Sequence, residues 1–371
     1  MNKLPFTNIE KFICSMFKKE NGIFMRNGTT ALWVLFKALG FKGKKIVVPV
    51  NVCYVVPLAI FLSGNEPYFV DIDENFTIDL LELKKINPHE VHAVVLPYMY
   101  GSAANVEEIL KICKINNWIL IEDVAQSLGA KIGPQYAGSF CDYAIASFGM
   151  GKVVDIDYGG MLCLNSQELA KEAFAIYQDL SPLGGKTFLS REYFSRFYFM
   201  LVDCIEAGEE MHLFGIPLAE TFKGCFIGNI DADLSFVAKL ESKLTHLQDE
   251  LDIREKNAKD FQTLLKHENI RPLKHKNGST YWRQNIMVKD DREGLLKYLK
   301  ANKVKASKYF PSIDSLFYQR NGKTFPRSDR MTMQAINLWP SKETSREDIV
   351  RINELICRFY AEKSSRNSLK N

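Results

Sequence analysis

Short apolar runs alternate with amphipathic stretches through the first half of the chain. KIVVPV (45–50), PYFVDI (67–72), HAVVLPY (92–98), WILIED (118–123), YAIASF (143–148) and GMLCL (160–164) have the length and apolar character of strands. Between several of them, TALWVLFKALG (30–40), VVPLAIFLSG (55–64) and NVEEILKICKINN (105–117) read as helices. Strands with near-continuous Val and Ile are covered on both faces. The pattern therefore predicts an α/β fold with a mostly parallel sheet flanked by helices. In such sheets ligands gather beyond the carboxyl ends of the strands, so the residues just after each run carry the functional reading.

Residues 180–228 break this rhythm with glycine, proline and aromatic residues. Over 231–267, Leu234, Val237, Leu240, Leu244, Leu247 and Leu251 recur at helical spacing, which predicts one or two long helices. Further on, YWRQNIMV (281–288) and KVKASKYF (303–310) read as strands, and REGLLKYLKANK (292–303) and residues 345–361 as helices. The predicted organisation is a large α/β domain over 1–230, then a bridging helix and a smaller C-terminal α+β domain over 231–371. The tail EKSSRNSLKN is expected to fray.

Composition narrows the classes. Hydrophobic residues make up 46% of the 371 and charged residues 25%, the balance of a globular protein with a large core. The net charge of +4 is dispersed rather than striped, which argues against a nucleic-acid partner. Eight cysteines without CxxC and six histidines without HExxH offer no metal or redox motif, so no metal is expected and the thiols are expected to be free. REYFSRFYFMLVDCIEAG (191–208) carries Arg191, Arg196, Asp203 and Glu206. It is too short and too charged to span a bilayer, and suits packing or a dimer contact instead. The first twenty residues lack a signal-peptide apolar run, and a cytoplasmic location is expected.

ASFGMGK (146–152) places glycines and a lysine after a predicted strand. A P-loop would need glycine six positions before the lysine and a hydroxyl after it; Ala146 and Val153 stand there. A dinucleotide fingerprint would need glycine at 154, which is Val154. RNGTTAL (26–32) opens a helix, so free N–H groups and the helix dipole make an anion site around Gly28, Thr29 and Thr30. IEDVAQ (121–126) ends a strand in Asp123, with Gln126 just beyond, and YMYGSAAN (98–105) follows another strand. An amine, a carboxylate and an anion nest at the tops of parallel strands suit pyridoxal 5′-phosphate (PLP). The lysine bonds to its aldehyde, the acid keeps its ring nitrogen protonated, and the nest holds its phosphate.

Taken in order, NGTTAL, VVP, FVDID, YG, IEDVAQ, GSF, SFGMGK and the glycine pair 159–160 resemble the DegT/DnrJ/EryC1/StrS aminotransferases. The resemblance runs over 24–165 and returns at 231–265 and 336–356. It implies a fold-type-I PLP enzyme, with a seven-stranded type of sheet in its large domain, that moves an amino group, from glutamate, to a keto sugar carried on a nucleotide, and that works as a homodimer. It implies that Lys152 is catalytic, both as the covalent anchor of PLP and, once released as a neutral amine, as the acid and base of the proton shift. It also implies that Asp123 pairs with the ring nitrogen and that Gln126 contacts the side of the phenolic oxygen. Thr29 and Thr30 would donate backbone N–H groups to the phosphate, and Ser147 would add its hydroxyl.

The chain departs from its relatives in places. Where they place an aromatic over the cofactor ring, this chain has Cys53 beside Tyr54, and either one is a candidate to face the ring. Tyr158 replaces the usual acid before the glycine pair, and the N-Y-R segment that reaches across the dimer has no clean match near 227–234. Tyr98 and Tyr100 read equally as core or as substrate wall. Arg283 reads as a surface arginine rather than a receptor for the donor's carboxylate. Asp155 and Asp157 read as solvating a loop. Two alternatives to the aminotransferase are a sugar dehydratase on the same scaffold, which Lys152 argues against because such relatives carry histidine there, and a non-catalytic ligand-binding relative.

Overall fold

The computed structural model describes residues 6–183, 191–208, 223–230, 234–317 and 323–368. The first part runs α1 (Thr7–Phe17), β1 (Asn21–Met25), α2 (Gly28–Ala38), β2 (Lys45–Pro49), α3 (Val55–Leu62), β3 (Glu66–Val70), α4 (Leu80–Lys85) and β4 (Ala93–Pro97). It continues through α5 (Val106–Ile115), β5 (Ile119–Asp123), a small hairpin of β6 (Lys131–Ile132) and β7 (Gln135–Tyr136), β8 (Tyr143–Ser147), β9 (Gly160–Leu164) and α6 (Gln167–Gln178). Seven of these strands form one sheet in the order β1-β9-β8-β5-β4-β2-β3.

The pairs from β3 to β8 are all parallel. β9 runs antiparallel to both β8 and β1. All five residues of β4 and of β9 are buried, so neither strand alternates, as expected of strands covered on both faces. Each such Val, Leu or Ile contributes about 1.5–3 kcal/mol by leaving water. α2 is buried continuously from Thr30 to Phe36 because α3, α6 and the sheet enclose it.

Several elements go beyond the predicted set, among them β1, α1 and α6. β1 and α6 have polar or glycine-interrupted patterns, and α1 precedes the first recognised strand. The helical run expected over 231–267 is two helices, α8 (Phe236–Thr245) and α9 (Leu247–Leu264), which meet at His246. Its first residues, 231–233, lie outside the described residues, as do 184–190 and 209–222 of the irregular stretch. The aromatic stretch expected to pack or to form a dimer contact is helical over α7 (Arg191–Glu206).

A second sheet, all antiparallel, has the order β10-β11-β13-β12: β10 (Ile270–Pro272), β11 (Gln284–Val288), β12 (Ala306–Ser307) and β13 (Ala335–Leu338). The strand expected over 303–310 is only two residues long. The chain leaves the sheet because Tyr309 N–H donates to Asn337 Oδ1 and Phe310 N–H to the Tyr100 hydroxyl. α10 (Arg292–Ala301), α11 (Pro326–Gln334) and α12 (Arg346–Ser368) complete the chain. α12 passes well beyond the expected end at 361, and 369–371 of the expected frayed tail lie outside the described residues. Phe261, Ile286, Leu295, Ile336, Ile349 and Ile356 belong to a hydrophobic cluster separate from the one around the large sheet.

The residue before Asp123 anchors the sheet beneath the site. Glu122 is fully buried; its carboxylate accepts from the Tyr98 hydroxyl (2.6 Å) and from Gly138, Phe140 and Cys141 N–H groups at 2.7, 2.8 and 3.1 Å. Glu122→Ala is expected to destabilise the protein by about 3 kcal/mol or more, since several buried donors lose their acceptor together. Chemical denaturation of the variant measures this, and a loss of less than about 1 kcal/mol would remove Glu122 from that role.

Candidate active site

The strand ends meet around a cavity of about 370 Å³ lined by residues that follow β1, β2, β4, β5 and β8 and precede β9. Because β9 runs against its neighbours, its first residue, Gly160, pairs with both Met25 and Ser147, the last residues of β1 and β8. A Cβ on Gly160 would lie 2.3 Å from the Asn27 carbonyl carbon and from Gly28 N. Only glycine therefore lets β9 lie against the turn that opens α2.

Lys152 lies in the cavity wall on the loop after β8. Asp155, read in the sequence as solvating this loop, instead ties it together. Its two oxygens accept from Gly151 N–H (2.7 Å) and Asp157 N–H (2.9 Å). From the other side the Trp282 indole N–H donates to the Gly151 carbonyl. Lys152 Nζ lies 5.8 Å from the centre of the Trp282 ring. Burial lowers the Lys152 amine from the ordinary value of 10.5, and nearby Arg283 adds to this, while Cys53, Asp123 and Asp155 oppose it.

Asp123, the last residue of β5, is buried at the cavity wall. One oxygen accepts from Ala125 N–H at 3.0 Å. Burial raises its carboxyl above the ordinary value, against the pull of that N–H and of Lys152. The neighbouring Gln126 has its amide oxygen fixed by Tyr100 N–H (2.8 Å), and among the described residues its NH₂ faces only the weak acceptor Met99 Sδ at 4.0 Å. The NH₂ group is therefore the end of Gln126 left to donate to a ligand. Ser147 Oγ lies within the wall and accepts Gly149 N–H at 3.4 Å.

Of the two threonines, Thr29 lines the cavity with Gly28. Thr30 is placed differently from expectation. Asn27 caps α2 by accepting Thr30 N–H at 2.7 Å, and the Thr30 hydroxyl donates to the Phe226 carbonyl at 3.2 Å. Its N–H thus serves the helix cap. The Cys53–Tyr54 alternative also has a geometric answer: Cys53 lines the cavity, whereas Tyr54 is fully buried and packs edge-on against Phe226. Tyr98 lines the cavity, and Tyr100 holds the cavity residues Tyr309 and Phe310 through its hydroxyl.

Arg283 is not on the surface. It is 3% exposed, lines the cavity, and lies between two indoles, with Trp282 and Trp339 centred 3.8 and 3.9 Å from its guanidinium carbon. The segment reaches the cavity because Gly101, at φ +83°, admits it: a Cβ there would sit 2.6 Å from Trp282 N. Thr280 N–H and Arg283 N–H then donate to the Gly101 and Tyr100 carbonyls. Nη1 donates to the Trp282 carbonyl at 2.7 Å, and Nε is buried without a partner. In the sequence, the signal for this is an arginine beside an aromatic in YWRQN; Trp339, far along the chain, gives no local cue.

The sequence model of the DegT/DnrJ/EryC1/StrS aminotransferase family matches residues 6–190 and 233–356. The chain belongs to this family. It is thus a PLP-dependent aminotransferase. It is 25% identical to the GDP-perosamine synthase of Escherichia coli O157:H7 over 366 residues, which cover 96% of this chain and 91% of that one. It is also 25% identical to the dTDP-3-amino-3,6-dideoxy-alpha-D-galactopyranose transaminase of Aneurinibacillus thermoaerophilus, covering 91% and 85%. Among solved structures, Helicobacter pylori PseC, an aminotransferase of pseudaminic acid biosynthesis, superposes with a TM-score of 0.77 at 18% identity, over 97% of this chain and 92% of that one.

The cavity of this aminotransferase fits the cofactor on its own geometry. It has the volume of a small-molecule site, a buried carboxylate with one oxygen free of backbone donors, a desolvated amine, and a helix start closed over by Gly160. The lowered Lys152 amine has a measurable consequence. Covalent PLP uptake by the apoprotein should rise with pH as Nζ deprotonates, with a midpoint below 10.5. Arg283→Met removes a like charge and should move that midpoint upward. Stopped-flow absorbance across pH measures both; a wild-type midpoint at or above 10.5 would contradict the desolvated setting of Lys152.

Proposed function

We propose that the enzyme transfers an amino group from an α-amino acid, glutamate being the expected donor, to a ketone on a nucleotide-linked sugar. The observation that carries this reading is the placing of the half-buried, desolvated Lys152 amine in one cavity with Asp123 and the start of α2. The names of the relatives support the sugar class, since several are nucleotide-sugar aminotransferases.

When bound, PLP supplies an electron sink that makes the amino group transferable. Lys152 Nζ would be its covalent anchor and, once the donor's amine has displaced it, would move the proton to and from the substrate carbon, a role that needs the neutral amine that desolvation favours. The Asp123 carboxylate holds a proton on the ring nitrogen. Its own burial is offset once it faces that cation. Gln126 NH₂ donates to the phenolic oxygen. The Gly28–Thr29 turn and Ser147 Oγ hold the phosphate, and Thr30 keeps the turn in shape through the Asn27 cap.

Arg283 receives the donor's α-carboxylate. Two indoles cover its faces, so a ligand meets its edge. Nε and Nη2 form the fork on that edge, and Nη2 would lie 3.7 Å from a Cβ on Gly151, next to Lys152. That planar fork matches a carboxylate. An α-carboxylate is bonded to the reacting carbon, so its receptor must stand beside the lysine. A homodimer and a cytoplasmic setting belong to the same reading; among the described residues no helix is long and apolar enough to cross a membrane.

Incubation of the holoenzyme with glutamate and a panel of keto sugars on GDP, UDP and dTDP tests the reading, with the aminated sugar detected by mass spectrometry. Amination of one nucleotide-linked member is the expected result; no amination of any while free keto sugars react would overturn the substrate class. Arg283→Met should raise the KM for the donor by about tenfold to a hundredfold, with a smaller change in the KM for the sugar.

A further inference from the structure

Arg26 stands two residues before Gly28 and is 8% exposed. Its guanidinium carbon lies 3.9 Å from the centre of the Tyr158 ring, and both residues line the cavity beside Gly28 and Thr29. Its Nε is buried without a hydrogen-bond partner, and among the described residues the side chain pairs with no carboxylate. A buried guanidinium left without an anion is strongly unfavourable, so the arrangement calls for a negative ligand.

The start of α2 calls for the same charge at the same place. α2 is an 11-residue helix whose first residues, Gly28 and Thr29, line the cavity. Helix starts attract anions, but here one donor, Thr30 N–H, is already taken by Asn27. Arg26 restores a strong donor beside the turn. Tyr158 covers one face of the guanidinium, which directs its N–H groups along the edge, a geometry that suits oxygens of a phosphoryl group.

We propose that Arg26, held against Tyr158, is a receptor for a phosphoryl group at the α2 end of the cavity. The inference rests on the cofactor and substrate reading above, which offers two sources of that chemistry: the phosphate of PLP and the diphosphate of the nucleotide-linked sugar. Arg283 takes the carboxylate at the lysine, and Arg26 takes the phosphoryl group at the helix.

Arg26→Met and Arg26→Lys test this by binding alone. Apoprotein is titrated with PLP and with pyridoxal, followed by tryptophan fluorescence, and holoprotein is titrated with GDP, UDP and dTDP by calorimetry. Arg26→Met should weaken either PLP or the nucleoside diphosphates by about tenfold to a hundredfold, leave pyridoxal within about twofold, and be partly rescued in Arg26→Lys. Loss of PLP binding assigns the receptor to the cofactor, and loss of diphosphate binding assigns it to the substrate. Unchanged binding of both, or equal weakening of PLP and pyridoxal, would overturn the proposal. Failure of the wild-type protein to bind PLP at all would instead refute the cofactor reading, and the inference with it.

Discussion

The site depends on one backbone contact. Gly160, at the start of β9, lies directly against Asn27 and Gly28, at a distance no side chain would permit. Because β9 also pairs with β1 and β8, this contact ties three things together: the turn that opens α2, the end of β8 from which the Lys152 loop departs, and Tyr158 just before the strand. Because β9 is reversed, its first residue rather than its last lies at the edge where the anion-binding turn and the lysine loop meet.

Around that contact the cavity gathers charges that water would otherwise separate. Lys152 and Asp123 each pay for burial in the direction that physics requires, the amine lowered and the acid raised. Arg283 is held by indoles rather than by an acid, and Arg26 by a phenol. Cation–π contacts stabilise a guanidinium without neutralising it. The two arginines therefore keep their charge available for ligands, which a carboxylate partner would have consumed. The Trp282 indole has a second use, since its N–H also fixes the Gly151 carbonyl next to Lys152.

The parallel sheet and the gathering of Lys152, Asp123, Gln126, Ser147 and Thr29 at one set of strand ends were legible because strand periodicity and short motifs are local properties. What escaped the sequence was set by contacts distant along the chain. β1 carries Gly22 and an Asn and gains strand form by pairing with β9. Arg283 reads as a surface residue until Trp339 and the Tyr100–Gly101 backbone fold over it. Thr30 looks like a phosphate donor until Asn27 is seen to cap it. Between Cys53 and Tyr54, adjacent residues at a helix start, only packing against Phe226 decides which one turns inward. In each case the deciding partner lies outside the window in which periodicity or spacing operates.

Every role assigned to the cavity turns on a covalent bond between Lys152 and PLP. Borohydride reduction of the holoprotein, followed by peptide mapping, tests it directly. The visible absorption should disappear, and the reduced pyridoxyl label should be found on Lys152 in the peptide containing SFGMGK. A label on another lysine, or no label on protein that has taken up PLP, would contradict it.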